Sequence, residues 1–410
     1  MAKNGSEGPD RPYELRVLVL LGLAYGFAYF DRMALTFLAP FVQPDLSLSN
    51  EQIGWLGSGL SLTWALGAYF VGMWSDRIGR RKPFLLAALV VFSFCSVASG
   101  LAWSFGSLLV SRIVMGAAEG PFLPICLAIL VAASADSRKG LNAGIVQNAF
   151  GAIMGTAIAP PLLVWLASDF GWRTAFYLAG VPGLILAVLI WRLIRDPEAA
   201  GPQPRSTGPS LSPTGMLRHR NILVCSIYSC FAVGTVVIGS IFMPLYLDGP
   251  RGFAPATWGW IMFWVGICPA VGGILVTALS DRIGRKPPLI VFGAMMAIAP
   301  LALLWFDGPV PVLTALMFVS WLGLGTFTLF MGVVLAETLG RAGAATAMGL
   351  VVAIGELTGG VLGPPIAGRL GDAYSLKVPL NLQAGLALLA GMTGLFVRET
   401  NPRAARTLAA

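Results

Sequence analysis

Long apolar stretches separated by short polar connections run along the whole chain. Twelve of them, at roughly 16–40, 51–73, 83–103, 107–132, 142–166, 173–194, 221–246, 257–279, 288–306, 311–336, 343–367 and 379–397, come near or exceed the ~20 residues that a bilayer-spanning helix needs. The pattern predicts an all-α integral membrane protein of twelve transmembrane helices, with little chain left for a soluble domain. The segment Met1 to Glu14 is polar, and no cleavage pattern follows the first apolar stretch, so that stretch reads as a retained anchor.

The chain also repeats itself. Gly79 in "SDRIGRRKP" matches Gly284 in "SDRIGRKPP" at an offset of 205, and "GAIMGTAIAPPL" from Gly151 matches "GELTGGVLGPPI" from Gly355 at an offset of 204. Gly155, Pro160 and Pro161 thereby fall on Gly359, Pro364 and Pro365. Two blocks at one spacing, about half the chain, argue for duplication into a six-helix half at 1–195 and another at 221–398. An even number of spans per half makes the repeat parallel, and membrane proteins built so bind their ligand near the midplane between halves. Residues 196–220, which carry Pro197, Pro202, Pro204, Pro209 and Pro213, read as a connecting linker, and 399–410 as a tail. Glycines at small-x-x-x-small spacing, Gly151–Gly155 and Gly355–Gly359, are expected to serve close helix packing.

Composition agrees: 56% of residues are hydrophobic and 11% charged. The net charge of +8 is mostly a topology signal. With the N-terminus placed in the cytoplasm, only Arg173, Arg251, Arg369 and Lys377 fall on the outer side, Arg32 and Arg112 lie within spans, and every other Lys and Arg is cytoplasmic. This predicts a multi-pass protein of the cell (inner) membrane with both termini cytoplasmic, and nucleic acid is not needed as a partner. The five cysteines lie within spans without metal-ligand spacing, so packing is expected of them, not a disulfide framework or a metal site. No cofactor is implied. An enzyme reading has no nucleophile–base pair or phosphate-binding glycine loop behind it.

The candidate chemistry is the set of charges inside the spans. Asp31 and Arg32 lie in the first, Arg112 and Glu119 in the fourth, and Glu356 in the eleventh. A charge at the bilayer centre costs at least ~2.5–3.5 kcal/mol, so it marks a partner or a pathway. At ~1.5 Å per residue, the first four share the middle and outer-middle layers of the membrane. Arg112 and Glu119, two turns apart, share one helix face. Tyr25, Tyr29, Arg32 and Thr36 form one polar stripe, expected to line a cavity, while Asp31 points elsewhere and could meet Arg112. Gln147 and Asn148 add polar groups in span five. Three acids against two arginines leave an excess acid whose charge a low-dielectric cavity disfavours, making Glu119, Asp31 and Glu356 candidate proton carriers.

The loop after span two reads Gly72-Met-Trp-Ser-Asp76-Arg77-Ile-Gly79-Arg80-Arg81-Lys82, and its second-half copy carries Asp281, Arg282, Gly284 and Arg285. This resembles the signature loop of the major facilitator superfamily, and the resemblance covers essentially the whole chain. It implies the twelve-helix fold in two parallel-repeat halves, and a conformational latch built from Gly72, Asp76, Arg77, Gly79, Arg80, Asp281, Arg282, Gly284 and Arg285. A narrower resemblance, to the anion:cation symporter group, rests on Tyr29-Phe-Asp31-Arg32, on Arg112-Ile-Val-Met-Gly116-Ala-Ala-Glu119-Gly120-Pro121 and on Phe170-Gly171-Trp172-Arg173-Thr-Ala-Phe176. It implies that Arg32 holds a substrate carboxylate and Glu119 takes the coupling proton, with Asp31 and Arg112 as a supporting ion pair. Tyr25, Tyr29, Gln147, Asn148 and Glu356 complete the expected substrate site.

The function expected from this is proton-coupled import of a small organic anion, such as a sugar acid or aromatic acid, by a monomer with alternating access. Protonation would free Arg32 from an acid partner to take the carboxylate. Two rivals stand beside it. One is proton-coupled export of a lipophilic or cationic compound or a lysolipid, for which Glu356 leaves room. The other is a transporter-derived sensor.

Overall fold

A computed structural model of the 410-residue chain describes residues 11–78, 80–196 and 213–401, without the side chains at 76, 148, 213, 214, 341, 342 and 345. Most of the expected linker, Gly79 and the far end of the tail therefore lie outside the described residues. Within them the chain is helical and no strand occurs.

The long helices are α1 (Arg11–Asp45), α2 (Asn50–Ile78), α3 (Lys82–Gly100), α4 (Phe105–Ala132), α5 (Lys139–Phe170), α6 (Trp172–Leu193), α7 (Arg220–Asp248), α8 (Pro255–Ile283), α9 (Lys286–Trp305), α10 (Val310–Gly340), α11 (Thr346–Ala373) and α12 (Lys377–Gly394). Among the described residues eleven helices are long and apolar enough to cross a membrane, and α12 is the shorter, less apolar twelfth. These are the twelve stretches that the hydropathy pattern picks out. Gly340, at φ 71°, separates α10 from α11 with a backbone angle that side chains resist.

The duplicated sequence block produces a duplicated local geometry. Pro160 and Pro161 in α5, and Pro364 and Pro365 in α11, lack the N–H groups that would bond to the carbonyls four residues earlier, and their rings crowd those carbonyls. The helix is wound wider just before each pair, π-helical over Ile145–Ile158 and over Glu356–Leu362. Such widened turns often accompany functional sites.

The helices pack as two compact units that do not follow the sequence halves throughout. The first comprises residues up to Leu35 together with Thr63–Gln203; the second comprises Thr36–Leu62 and Pro204 onward. The far part of α1 and the near part of α2 thus belong with the second unit.

In the first unit α3 and α6 lie in close contact. A Cβ on Gly180 would fall 2.7 Å from the Ser93 carbonyl oxygen, and one on Gly183 would fall 2.2 Å from the Ser93 hydroxyl. At one end of this unit the buried Glu14 of α1 accepts from Arg138 Nη2 at 2.6 Å, Arg138 Nε at 3.0 Å and Asn142 Nδ2 at 2.7 Å. Arg138, which the sequence suggests only as a topology charge, therefore also pins α1 to α5.

In the second unit the start of α2 satisfies its free donors in two ways. Ser49 and Gln52 form a reciprocal capping box, the Gln52 N–H donating to Ser49 Oγ and the Ser49 N–H to Gln52 Oε1. The remaining N–H groups, of Asn50 and Glu51, donate to the carboxylate of Asp372 in α11 at 2.8 and 2.9 Å. Gly54 and Gly368 permit that approach, since a Cβ on either would fall within 2.4 Å of the facing backbone.

Candidate functional site

Of the polar stripe of α1, Tyr25, Tyr29 and Arg32 lie in the first unit and Thr36 in the second. Tyr25, Tyr29 and Arg32 are half-buried, and the two tyrosine rings stack with centroids 6.2 Å apart. They are seated by α5. A Cβ on Gly151 would lie 2.5 Å from the Tyr25 ring and one on Gly155 would lie 2.1 Å from the Tyr29 ring. The small-x-x-x-small pair of α5 is thus a double socket for tyrosines. Its second-half counterpart does bring backbones together: a Cβ on Gly359 would meet the Gly234 nitrogen at 2.4 Å.

Arg32 differs from expectation. Its guanidinium stacks over the Trp64 ring of α2, 4.6 Å from the centroid, and no carboxylate lies within ion-pair distance of it among the described residues. A cation over an indole face gains ~0.5–2 kcal/mol without neutralising the charge. The same turn of α2 meets α4, where a Cβ on Gly120 would fall 2.0 Å from the Trp64 carbonyl oxygen. Glu119, the residue before, is therefore carried beside the Arg32–Trp64 stack.

Asp31 and Arg112 are wholly buried and Glu119 is 5% exposed. The electrostatic neighbours of Glu119 are Asp31, Arg32 and Arg112, so the four membrane charges of the first half do form one cluster. Asp31 and Arg112 nevertheless do not make the direct ion pair that the sequence suggested. Each is held by a serine of α3. Ser96 Oγ lies 2.6 Å from Asp31 Oδ1 and 2.8 Å from the Phe176 carbonyl oxygen of α6. Arg112 Nη2 donates to Ser99 Oγ at 3.1 Å, and the guanidinium rests 5.0 Å from the Phe176 ring centroid. Asp31 Oδ2, Arg112 Nε and Glu119 Oε1 are buried without a hydrogen-bond partner in the protein. An unpaired buried polar atom costs ~1–3 kcal/mol, and three in one cluster mark a site kept for more than stability.

The other expected residues lie elsewhere. Gln147 is exposed on the widened part of α5, and the Asn148 side chain lies outside the described residues. Glu356 is half-buried in the second unit, at the first position of the widened turn of α11, with its carboxylate in the space that the absent side chain of Gly360 leaves.

Of the expected latch, Gly79 and the Asp76 side chain are outside the described residues. Arg77 is exposed, Gly72 has no neighbour within 4 Å of a would-be Cβ, and Arg80 approaches Asp196 at 3.5 Å. The second-half loop is fuller. Gly284 turns the chain at φ 99°; Arg285 bridges Asp281 at 2.5 Å and Glu337 at 2.8 Å; Arg282 is exposed. Glu399, after α12, closes the loop by accepting the N–H groups of Arg285, Lys286, Thr400 and Asn401. Burial raises the proton affinity of Glu399, but these four N–H donors outweigh it and hold the carboxyl below the ordinary glutamate range.

Four contributors have no role in the sequence reading. Ser96 and Ser99 carried a signal, a serine every third residue from Ser93 in an apolar helix, which is one face of α3. Phe176 carries a signal only as the end of the Phe170–Phe176 motif, without a role, and Trp64 carries none, since each acts through a contact with another helix.

The model of the family described as Major Facilitator Superfamily matches this sequence over residues 21–254 and 238–410. The hexuronate transporter of Bacillus subtilis is 28% identical over 409 residues, covering 94% of this chain and 95% of its own. The 3-(3-hydroxy-phenyl)propionate transporter of Escherichia coli is 26% identical, with 87% of each chain covered. Among solved structures, a bacterial homologue of the human lysosomal transporter Spinster superposes with a TM-score of 0.77 at 22% identity over 95% of each chain. The nucleoside transporter NupG does so with a TM-score of 0.77 at 16% identity, over 93% of this chain and 98% of that one.

Proposed function

This chain belongs to the Major Facilitator Superfamily and is a multi-pass membrane transporter; from that premise we propose that it imports a small organic anion together with protons, by alternating access. Arg32 carries the reading. It is a half-buried cation on a stripe of two tyrosines, placed on an aromatic face and not neutralised by an acid, as an anchor for a substrate carboxylate requires. The relatives named for a hexuronate and for an aromatic propionate point to carboxylate substrates of this size. The stacked rings of Tyr25 and Tyr29 would pack beside the anion.

Glu119 and Asp31 are the proton carriers in this reading. Each has a buried carboxylate oxygen without a donor; Glu119 stands within the field of Arg32 and Arg112, and Asp31 within that of Arg112. Protonation from outside removes negative charge beside Arg32 and leaves its field free for the anion. Return of the proton to the inside then releases the anion. The protein would act as a monomer in the cell's inner membrane with cytoplasmic termini, its arginine-rich loops serving as the latch of the inner ends.

Uptake into proteoliposomes of a labelled hexuronate, gallate or 3-(3-hydroxyphenyl)propionate, with and without an inward proton gradient, tests this. Gradient-driven accumulation is expected, with Arg32→Ala losing uptake and Glu119→Gln keeping exchange but not accumulation. Accumulation by Glu119→Gln, or full affinity in Arg32→Ala, removes the corresponding role. Gradient-driven extrusion of a dye or lipid, with no acid taken up, overturns import itself.

A further inference from the structure

Ser96 has one hydrogen and two acceptors. Its hydroxyl lies 2.6 Å from Asp31 Oδ1 and 2.8 Å from the Phe176 carbonyl oxygen, all three groups buried. A serine hydroxyl donates once and accepts through its lone pairs. Ser99 and Ser111, in comparable apolar settings, spend their hydrogen on a carbonyl four residues earlier in their own helix. Ser96 instead crosses to α6, and Gly180 makes that possible, since a Cβ there would come 3.2 Å from Ser96 Cβ.

The proton count then differs between the two states of Asp31. With the carboxylate charged, Ser96 gives its hydrogen to Oδ1, and the Phe176 carbonyl keeps only its helical partner. When a hydronium ion gives up a proton, one of its O–H bonds breaks, an O–H bond forms on Oδ1 and a water is left, and the Oδ1 group has become a donor. It can donate to Ser96 Oγ, and the Ser96 hydrogen is released to the Phe176 carbonyl. No other bond forms or breaks, and the charge of Asp31 goes from −1 to 0. A proton on Oδ2 would be a buried donor with no acceptor, because that oxygen has no partner. Leaving a donor so costs ~1–3 kcal/mol, which selects Oδ1.

We propose that Ser96 is a positioning residue that reports the protonation of Asp31 to α6, by moving its hydrogen from the Asp31 carboxylate to the Phe176 carbonyl. Phe176 is where the message matters, because its ring carries the Arg112 guanidinium. One residue of α6 therefore feels the charge of Asp31 through its carbonyl and supports Arg112 through its side chain. The groups facing Asp31 from the packed elements are Arg112 and Glu119 of α4 and Cys95 and Ser96 of α3, with Arg32 adjacent in α1; among the described residues Ser96 alone is hydrogen-bonded to it. The proposal rests on the reading of Asp31 as a proton carrier.

Infrared difference spectra between low and high pH, on the protein in lipid without substrate, test it. A protonated-carboxyl band that vanishes in Asp31→Asn belongs to Asp31. In Ser96→Ala that band should move to higher wavenumber, because the acid has lost its acceptor. Ser96→Thr, which keeps the hydroxyl, should restore it, and Ser93→Ala, one turn away, should leave it in place. If Ser96→Ala does not fold, Ser96→Cys, with a weaker partner of nearly the same shape, should give a smaller shift in the same sense. A band unmoved in Ser96→Ala, or in Ser96→Cys, overturns the role of Ser96 and leaves the coupling reading standing. A wild-type spectrum with no band that Asp31→Asn removes overturns Asp31 as a carrier, and this inference with it, while Arg32 and Glu119 keep their roles.

Discussion

Adding one methyl group at Gly155 tests whether the tyrosine sockets of α5 position the candidate site. In Gly155→Ala the new Cβ would lie 2.1 Å from Tyr29 Cδ1 and 3.1 Å from the Tyr29 carbonyl carbon. Ordinary carbon contacts are ~3.5–4.0 Å, so the shortfall at the ring is about 1.5 Å. The ring cannot relieve it alone, because the backbone of α1 is close as well, and α1 must move away from α5. Overpacking of this kind costs ~1–3 kcal/mol. Arg32 is three residues on along the same stripe, so its guanidinium moves with the helix. If half of the upper cost falls on the bound state, affinity for a carboxylate substrate drops about tenfold.

Gly151→Ala supplies an internal scale. Its Cβ would meet the far edge of the Tyr25 ring at 2.5 Å, with no backbone atom among the nearest three. A ring edge can give way, so the milder effect is expected there. Thermal unfolding in detergent gives the stability of both variants, and calorimetric titration gives the affinity. Tyr29→Ala in the Gly155→Ala background should recover stability, though not binding. If Gly155→Ala matches the wild type in both measurements, or if Gly151→Ala is the more damaging of the two, the sockets do not hold α1 in register.

Three further outcomes follow from contacts described above. Arg138→Met strands the buried Glu14 carboxylate with Asn142 as its remaining side-chain donor. Because Arg138 is 39% exposed, the loss should be about 1–3 kcal/mol, below that of a fully buried pair, and the double variant with Glu14→Gln should recover part of it in a denaturation cycle. Gly284→Ala forces a side chain into φ 99°, ψ 169°, a region nearly closed to non-glycine residues, and should lower stability by ~1–3 kcal/mol in the same assay. Glu399 has its proton affinity depressed by the fold, so its contribution is present above the unfolded carboxyl pKa of ~4.3 and is lost as pH falls through and below that value. Hydrogen exchange at Lys286, Thr400 and Asn401, corrected for its intrinsic pH dependence, should therefore quicken in mild acid, and Glu399→Gln should abolish that response.

Much of this was legible in the chain. Hydropathy gave the helices and the offset of about 204 gave the repeat, because both depend on composition along one strand of sequence. The stripe Tyr25, Tyr29, Arg32 was legible because a helix has a fixed period. What a period cannot give is the neighbour opposite. Asp31 was expected to meet Arg112 because opposite charges attract, but α3 lies close enough to supply Ser96 to one and Ser99 to the other. The glycine pair of α5 predicts close helix packing, and what it cannot predict is that the partner face of α1 carries tyrosines, for whose rings the glycines make room. Trp64 shows the same limit. Its stack with Arg32 depends on where α2 crosses α4, which Gly120 decides from another helix.

The carboxylate at the start of α2 has a consequence for the order in which the molecule can be finished. Asp372 lies 322 residues after Asn50. The capping box of Ser49 and Gln52 is complete as soon as that turn is made, so α2 can begin as a helix with two of its four leading donors satisfied. The other two wait for α11. At ~5–20 residues per second that is about 15 to 65 seconds of synthesis. Over that interval the N–H groups of Asn50 and Glu51 need water or headgroup oxygens as partners, which keeps this end of the hairpin at the membrane surface until the second-half helix arrives to cap it.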